Sequence, residues 1–445
     1  MAMVVKNNMS AKNTLNELNK NEKAQSKNLK KLSTGMKINS AEDDASGYAI
    51  SERMQTQIRS LDQDLDNTQT AMSMLKVAEG GVQSTVDILS TLKEKVINAA
   101  NDTNTDADRA IIQKELDQAI SQIDENANVM YNGKVMLDGS HNVEVNPATS
   151  TVLANESLAP STEGEDRITS LKDYTGRSLG ILSDSKIEFS YVIQGKTHVT
   201  TLDPVGRNSV IDMFTYSLDE HGVRPPSDSI SMIFSNTTED GNVADRTGNP
   251  VKTAKGNKAL MFIAGQDGVD GQISGLTINV INKDGTMNLT ANSVLNDFSE
   301  MIRAENASPD NALTFQIGTK ANQTIKMGFS DMRSTALGLR GNDGTTLSII
   351  TQKKANAAIN VLELAIGKAL NLQTSIGSVE NRMNFTAANI TTASENTQAT
   401  ESVIRDADMA KEMTAYTKNN VLVQASQSML AQANQSSSSV LSLLQ

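Results

Sequence analysis

The residues that most often perform chemistry are few and scattered in this sequence. The three histidines, His141, His198 and His221, lie far apart, and there is no cysteine. Glu220-His221 lacks the second histidine that an HExxH zinc motif requires. No glycine-rich phosphate loop and no G-x-S-x-G nucleophile turn occurs. We therefore expect no catalytic centre, no cofactor site and no metal site.

Charge and composition exclude two further classes of partner. The formal net charge is −12 and the sequence pI is about 4.9, which disfavours nucleic acid because phosphate binding needs a positive field. No apolar run reaches the ~18 residues that a membrane-spanning helix needs. The first residues contain no apolar core of a signal peptide, so any export must use another route.

Helix-breaking residues are concentrated in the middle of the chain. All seven prolines lie between residues 147 and 309, and 19 of the 27 glycines lie between 141 and 345. Proline disrupts helix interiors and glycine weakens them. The two flanks are therefore free to form long helices, and the architecture reads as helix, insert, helix.

Both flanks carry the 3–4 spacing of a coiled-coil seam. Steps of three and four connect Ile58 to Ala100 before the insert and Ala358 to Thr400 after it. Neither stripe can be buried alone, so we predict that the two flanks pair with each other as a long antiparallel helical bundle. The apolar seam residues are Ile58, Leu61, Leu65, Met72, Leu75, Val82, Val86 and Leu89 before the insert, and Leu362, Leu372, Ile376, Val379, Met383 and Ile390 after it.

The extreme ends continue this spacing with thinner apolar stripes. Such stripes rarely cover the entropy cost of ordering a helix in isolation. We expect residues 1–36 and 404–444 to become ordered where other chains surround them. The predicted assembly residues are Leu15, Leu18, Leu29, Leu32, Leu422, Met429, Val440, Leu441 and Leu444.

The insert has the alternating period of β-strands. KIEFSYVI (186–193) predicts a half-buried strand, LTINVINKDGTMNLT (276–290) predicts two strands around an Asp-Gly turn, and LTFQIGTKANQTIKMGF (313–329) predicts a hairpin. The sequence also predicts a duplicated strand–strand–helix unit, because Asn208-Ser209 and Asn292-Ser293 can each cap a short helix after a hairpin. The predicted fold class is mainly α with a β-rich, α+β insert.

A joint interrupts the N-terminal flank at LSTGMKINSAEDDASGYAISERM (32–54). Gly35 is a candidate C-cap because glycine accepts the left-handed conformation. Ser40 is a candidate N-cap with Asp43 at the third helical position, and Asp43 and Asp44 would then lie in the first turn, where the helix dipole favours negative charge.

The same segment closely resembles the joint of bacterial flagellin, whose pattern is L-S-[ST]-G-x-x-I-N-[SA]-A-x-D-D-[AP]-[AS]-G-x-A-I. The resemblance continues through AEGGVQ, AANDTNTDADRAIIQKELDQ and YNGKVML. It resumes in LTFQIGTKANQTI and again from IRDADMAKEM to VLSLLQ. The chain is thereby identified as a member of that family, with a central insert that the resemblance hardly constrains.

The resemblance implies a self-assembling subunit of the extracellular flagellar filament, serving motility. Residues 1–56 and 400–445 would form the inner tube, 57–140 and 311–399 the outer helical layer, and 141–310 the outward insert. Gly35, Ser40, Asp43 and Asp44 would link the two layers. Export would use the flagellar type III apparatus without a cleaved signal. Partners would be further copies, an export chaperone at about 406–445, and the filament cap and hook–filament junction proteins.

Two departures from the family pattern stand out. Ser436 to Ser439 replace a Val-Pro pair that many members carry before the last segment. The second departure concerns the site that an innate immune Toll-like receptor contacts, R-E-L-A-V with N-E-I-D downstream. The corresponding residues here are Lys93, Lys95, Ile97 and Gln122. Loss of the arginine fork and a charge in an apolar contact predict weakened receptor binding.

Two other functions stay open at this point. A hook–filament junction protein shares the terminal pattern but would be expected to lack the match in LAQANQ and VLSLL. An insert with a glycan-binding, adhesive or enzymatic role would use the filament as a carrier, although no metal or nucleophile motif supports an enzyme.

Overall fold

The computed structural model describes residues 8–210, 212–219, 230–235, 243–244, 250–251 and 259–443. His221 and Leu444 lie outside these residues. The described part is mainly helical with a central β-rich insert, as predicted. The helices are α1 (Met9–Thr34), α2 (Ala45–Ala99), α3 (Asp106–Ala127), α4 (Asp212–Thr215), α5 (Leu289–Leu295), α6 (Gln352–Arg405) and α7 (Met409–Leu443).

The described strands are short, and nearly all belong to the insert or flank it. They are β1 (Met130–Tyr131), β2 (Lys134–Val135), β3 (Val152–Asn155), β4 (Lys186–Ile193), β5 (Lys196–Leu202), β6 (Ile230–Ser235), β7 (Val243–Ala244), β8 (Pro250–Val251), β9 (Ala259–Ala264), β10 (Ile273–Ile281), β11 (Ser299–Ile302), β12 (Leu313–Gln316) and β13 (Thr324–Met327). One sheet has the order β10-β4-β5 and another β11-β3-β9-β6, while β1-β2, β7-β8 and β12-β13 form two-stranded pairs.

The chain divides into two compact units. The first unit comprises residues 1–69, 316–323 and 384–445, and the second comprises 70–315 and 324–383. The predicted boundaries at 56 and 400 fall inside α2 and α6. The strands of the insert pack closely on α6: a Cβ at Gly275 of β10 would lie 2.8 Å from Val361 Cγ2.

In the first unit, α1 and α7 form an antiparallel pair. Asn8 donates to the Ala433 carbonyl (3.2 Å), Asn21 donates to the Ser426 hydroxyl (3.0 Å), and Lys31 Nζ lies 3.4 Å from a Glu412 carboxylate oxygen. As residue numbers rise along α1, those of its partners fall along α7. The pairing of the two chain ends predicted from the sequence is therefore present.

The same direction holds between α2 and α6. In the first unit Ser394 donates to Asp62 (3.1 Å). In the second, Gln373 donates to Gln83 (2.6 Å), and Lys93 lies 3.3 Å from Glu363. Along α6, the apolar residues of the predicted seam are buried: Leu362, Leu372, Ile376, Val379, Met383 and Ile390.

The α2 seam has the predicted period but differs at most of its alternate positions. The buried residues of the predicted seam are Leu61, Leu75, Val82, Val86 and Leu89. Ile58, Leu65 and Met72 are only half-buried and lie beside the seam. The alternate positions are instead filled one residue earlier by mostly small residues, Asp64, Ala71, Ala78, Thr85, Leu92 and Ala99.

The insert departs from prediction in two places. β4 is buried on both faces rather than one: Glu188 and Ser190 are buried as well as the apolar residues. The face that carries Glu188 is covered by α6, whose Lys353 lies 2.6 Å from the Glu188 carboxylate. The first strand–strand–helix unit is present as β4–β5–α4. In the second, the return strand is a single bridge from Ile281 to Met287, and α5 is capped by Asn288 rather than by Asn292-Ser293. The predicted repeat is therefore incomplete.

Candidate assembly surface

The joint between α1 and α2 uses a different cap from the one predicted. Gly35 ends α1 at φ 70° in the left-handed conformation, and its N–H donates to the Lys31 carbonyl (2.9 Å). The N-cap of α2 is Asp44, not Ser40: its carboxylate accepts from the N–H groups of Ser46 (3.1 Å) and Gly47 (3.0 Å). Ser40 lies in the preceding turn because α2 begins only at Ala45.

Asp43 serves the turn rather than the helix. Its carboxylate accepts from the Asn39 N–H (3.1 Å) and lies 2.9 Å from Lys27 Nζ on α1. The hydrogen bond from Lys27 lowers the pKa of the Asp43 carboxyl below its ordinary value. Asp43 therefore ties the joint back to α1, and Asp44 starts α2.

Sequence reasoning missed the segment that pairs with this joint. The short connection between α6 and α7 lies alongside it: Lys37 N–H donates to the Arg405 carbonyl (2.7 Å), and Ala407 N–H donates to the Gly35 carbonyl (2.9 Å). The Arg405 side chain donates to Glu52 on α2 (3.0 Å), and its guanidinium lies 5.7 Å from the centre of the Tyr48 ring. The available signal was the break in apolar spacing at 406–408.

The α1–α7 pair leaves many apolar side chains outside its own contact. Leu18 and Val423 are buried between the helices, and Leu32 is half-buried. The exposed fractions of the other predicted assembly residues are 44% for Leu15, 52% for Leu29, 38% for Leu422 and 62% for Met429. Met409, Met413 and Val421 are also exposed. The side chains of Val440 and Leu441 lie outside the described part.

The segment that matches the receptor contact spans α2 and α3 of the second unit. Lys93 faces Glu363 of α6, whereas Lys95 lies 3.1 Å from Glu115 of α3. Ile97 is exposed, and Gln122 donates to Asn126 on its own helix (3.3 Å). The two lysines are therefore directed to different neighbouring helices.

The insert carries a cleft of about 600 Å³ between β11 and α6. Lys368 lies at its base with only 3% of its surface exposed, and its Nζ donates to the Ala336 carbonyl (3.1 Å). Burial lowers the pKa of Lys368 to about 8, although Glu300 and Glu305 oppose the shift. Among residues 8–210, 212–219 and 259–443 and the short strands between them, no group of three or more His, Asp or Glu could hold a metal ion. Nor does any helix in the described part have the length and apolarity to cross a membrane.

The chain is similar to flagellins along its whole length. Residues 5–142 match the family model of the bacterial flagellin N-terminal helical region, and residues 359–444 match that of the C-terminal helical region. A flagellin of Clostridium tyrobutyricum is 30% identical over 440 residues, which cover 97% of this chain and 99% of that protein. The flagellar filament 33 kDa core protein of Treponema phagedenis is 28% identical, covering 99% and 100%. The solved structure of FliC from Burkholderia pseudomallei is 17% identical and covers 70% of this chain and 99% of its own, at a TM-score of 0.25.

Proposed function

The chain belongs to the bacterial flagellin family, whose members build the extracellular filament of the flagellum, and we propose that its α1–α7 pair is the element that packs between copies. The family is a structural one, and the function follows from packing rather than from catalysis. Each copy would contribute its paired ends to the inner tube, and residues 57–140 with 311–399 to the layer around it.

The apolar surface of the α1–α7 pair is the observation that carries this proposal. The two helices bury Leu18 and Val423 against each other but leave Leu15, Leu29 and Met429 in water. Full burial of an exposed side chain of this size is worth roughly 1.5–3 kcal/mol, and covering these half-exposed residues would gain about half of that each. Since the single chain leaves these side chains exposed, further copies of the chain would be what covers them.

Other partners are proposed from the family resemblance. An export chaperone would bind residues 406–445, a range that contains α7 and its exposed Met409 and Met413. The cap and junction proteins would contact the filament ends through the same terminal helices. The glycan-binding role considered for the insert stays a prediction, and no catalytic activity is proposed.

Removal of residues 406–445 should abolish seeded growth. Purified full-length protein given short filament fragments is expected to produce long filaments by negative-stain electron microscopy, whereas the truncated chain should produce none. Thermal unfolding of the second unit, followed by circular dichroism, serves as the control and should be unchanged. Filaments from both chains would contradict the assignment of assembly to α7.

Signalling through the Toll-like receptor should be weak, and restoring the family residues should strengthen it. We expect Lys93→Arg together with Lys95→Leu and Gln122→Glu to raise potency in a cell reporter assay by about 10-fold or more, because an arginine fork and an apolar contact return. Lys114→Arg, a lysine of α3 outside the aligned positions, is the matched control. Full potency of the unaltered chain would overturn the prediction.

A further inference from the structure

A row of lysines runs along the side of α1 that faces away from α7. The α7-facing side is marked by Leu18, which is buried, and Asn21, which bonds Ser426. At 3.6 residues per turn, the row spans an arc of about 80° opposite that side. Its members are Lys12, Lys20, Lys23, Lys27 and Lys30.

Most of these charges are not neutralised within their own chain. Lys27 pairs with Asp43, and Lys20 pairs with Glu17 at the surface. Lys12, Lys23 and Lys30 are exposed and make no ion pair within the described ranges. The row therefore presents an unneutralised positive surface at the back of the helix pair.

This surface contrasts with the rest of the molecule. α1 contains six lysines and two glutamates. Since the whole chain has 40 Lys and Arg against 52 Asp and Glu, the remainder carries 34 basic and 50 acidic residues. The charged residues of α7 are Lys411, Glu412 and Lys418, so α7 adds little to the acidic charge of the remainder. A second copy thus offers α1 a surface of opposite charge, and complementary charge steers and orients association.

Two exposed carboxylates of α2 could form ion pairs with lysines of this row. Asp62 and Asp66 lie one helical turn apart and are exposed, and neither makes an ion pair within the described part of the chain. Within the residues that the structure describes, Asp62 accepts one hydrogen bond, from the Ser394 hydroxyl (3.1 Å). On α1, Lys23 and Lys27 lie at the same one-turn interval. Lys27 already pairs with Asp43, and the unpaired Lys23 and Lys30 lie two turns apart on the same side of the helix. Arg59, one turn before Asp62, donates its Nε to the Gln55 carbonyl (3.4 Å).

We propose that the lysine row of α1 docks on the Asp62–Asp66 carboxylates of a neighbouring copy and sets the orientation in which subunits add to the filament. The inference rests on the proposed packing of α1 and α7 between copies. In this proposal the apolar residues of α1 and α7 hold the packed copies together. The lysines guide an incoming subunit and fix its orientation on the filament. Lys12 and Lys30 lie about 27 Å apart along α1, whereas Asp62 and Asp66 lie about 6 Å apart, so these carboxylates would pair with at most two lysines of the row. The other lysines would supply the field that steers approach.

Charge reversal tests the row directly. We compare a variant carrying Lys12→Glu, Lys23→Glu and Lys30→Glu with one carrying glutamine at the same positions, since both residues keep helix propensity. Elongation of wild-type seeds is followed by light scattering from about 20 to about 500 mM NaCl, a range over which the Debye length falls severalfold. The reversed variant is expected to elongate at least 10-fold more slowly than wild type at low salt. The gap should narrow at high salt, and the glutamine variant should lose the salt dependence.

Rescue identifies the partner. Adding Asp62→Lys and Asp66→Lys to the reversed variant, seeded with fragments of its own filaments, should restore elongation to within about threefold of wild type. Wild-type rates from the reversed variant at low salt would show the row to be merely solvated. Absence of rescue would exclude these carboxylates as the partner. If wild-type protein itself does not extend seeds, the proposed function fails instead, so the two failures are distinguishable.

Discussion

Met429→Asp is expected to stop filament growth while leaving the rest of the chain folded. Met429 is 62% exposed on α7, so aspartate costs the single chain little. In a filament the same position would be covered by apolar surface of another copy, and the carboxylate would have to lose its water there. Lost apolar burial and added desolvation together amount to at least ~3 kcal/mol, which raises the critical concentration by more than ~100-fold.

The matched control is the same substitution in the insert. Met287 is 51% exposed and lies outside both terminal helices, so Met287→Asp should elongate at the wild-type rate. Met429→Leu, which keeps the apolar contact, should also elongate. Seeded growth followed by sedimentation gives both rates and critical concentrations. Normal filaments from Met429→Asp would mean that this side of α7 faces solvent or the channel, and the packing proposed for the pair would be wrong.

The apolar period of the helical flanks was predictable, but its phase on α2 was not. Two series of 3–4 steps share Leu61, Leu75 and Val82 and differ only at the alternate positions. Larger residues such as Leu65 and Met72 favoured one series, yet the structure buries the smaller Ala71 and Ala78. Small residues let helices approach closely, and hydropathy alone assigns them little weight.

Asp64 is a second reason why the buried series of α2 could not be predicted from hydropathy. It is a charged residue in the seam, 5% exposed, and burial raises the pKa of its carboxyl. One of its carboxylate oxygens has no hydrogen-bond partner in the described part of the chain. Polar residues in coiled-coil cores are retained for register and pairing rather than stability. A pattern that seeks apolar positions passes over such a residue.

The joint shows what local signals can and cannot supply. The left-handed C-cap at Gly35 needs only the absence of a side chain and was predictable. The choice between Ser40 and Asp44 as N-cap depends on where α2 begins, because both residue types cap helices well. The pairing of Lys37 with Arg405 joins residues far apart in sequence. No local spacing encodes it.

In the second unit, we expect the free energy of unfolding to depend strongly on pH because of the buried Lys368. The pKa of this buried amine is about 8 in the folded chain, against an ordinary value of 10.5. Below pH 8 the lysine is protonated both folded and unfolded, so the cost of burying its charge is fully present. Between pH 8 and 10.5 the folded state has lost the proton while the unfolded state still binds it, and unfolding takes up a proton. The free energy of unfolding therefore rises with pH across this window.

Lys368→Met isolates this dependence, because the titration of all other groups cancels between the two proteins. Relative to the variant, the wild type should gain about 3 kcal/mol of unfolding free energy between pH 8 and 10.5, at 1.36 kcal/mol per pKa unit. Lys283→Met, at a largely exposed lysine, should track the wild type at every pH. Urea unfolding at pH 7, 8, 9 and 10.5 measures the difference. Because packing changes shift a stability curve without changing its slope against pH, a flat difference for Lys368→Met would show that the amine keeps its proton in the folded chain, compensated by Glu300 and Glu305.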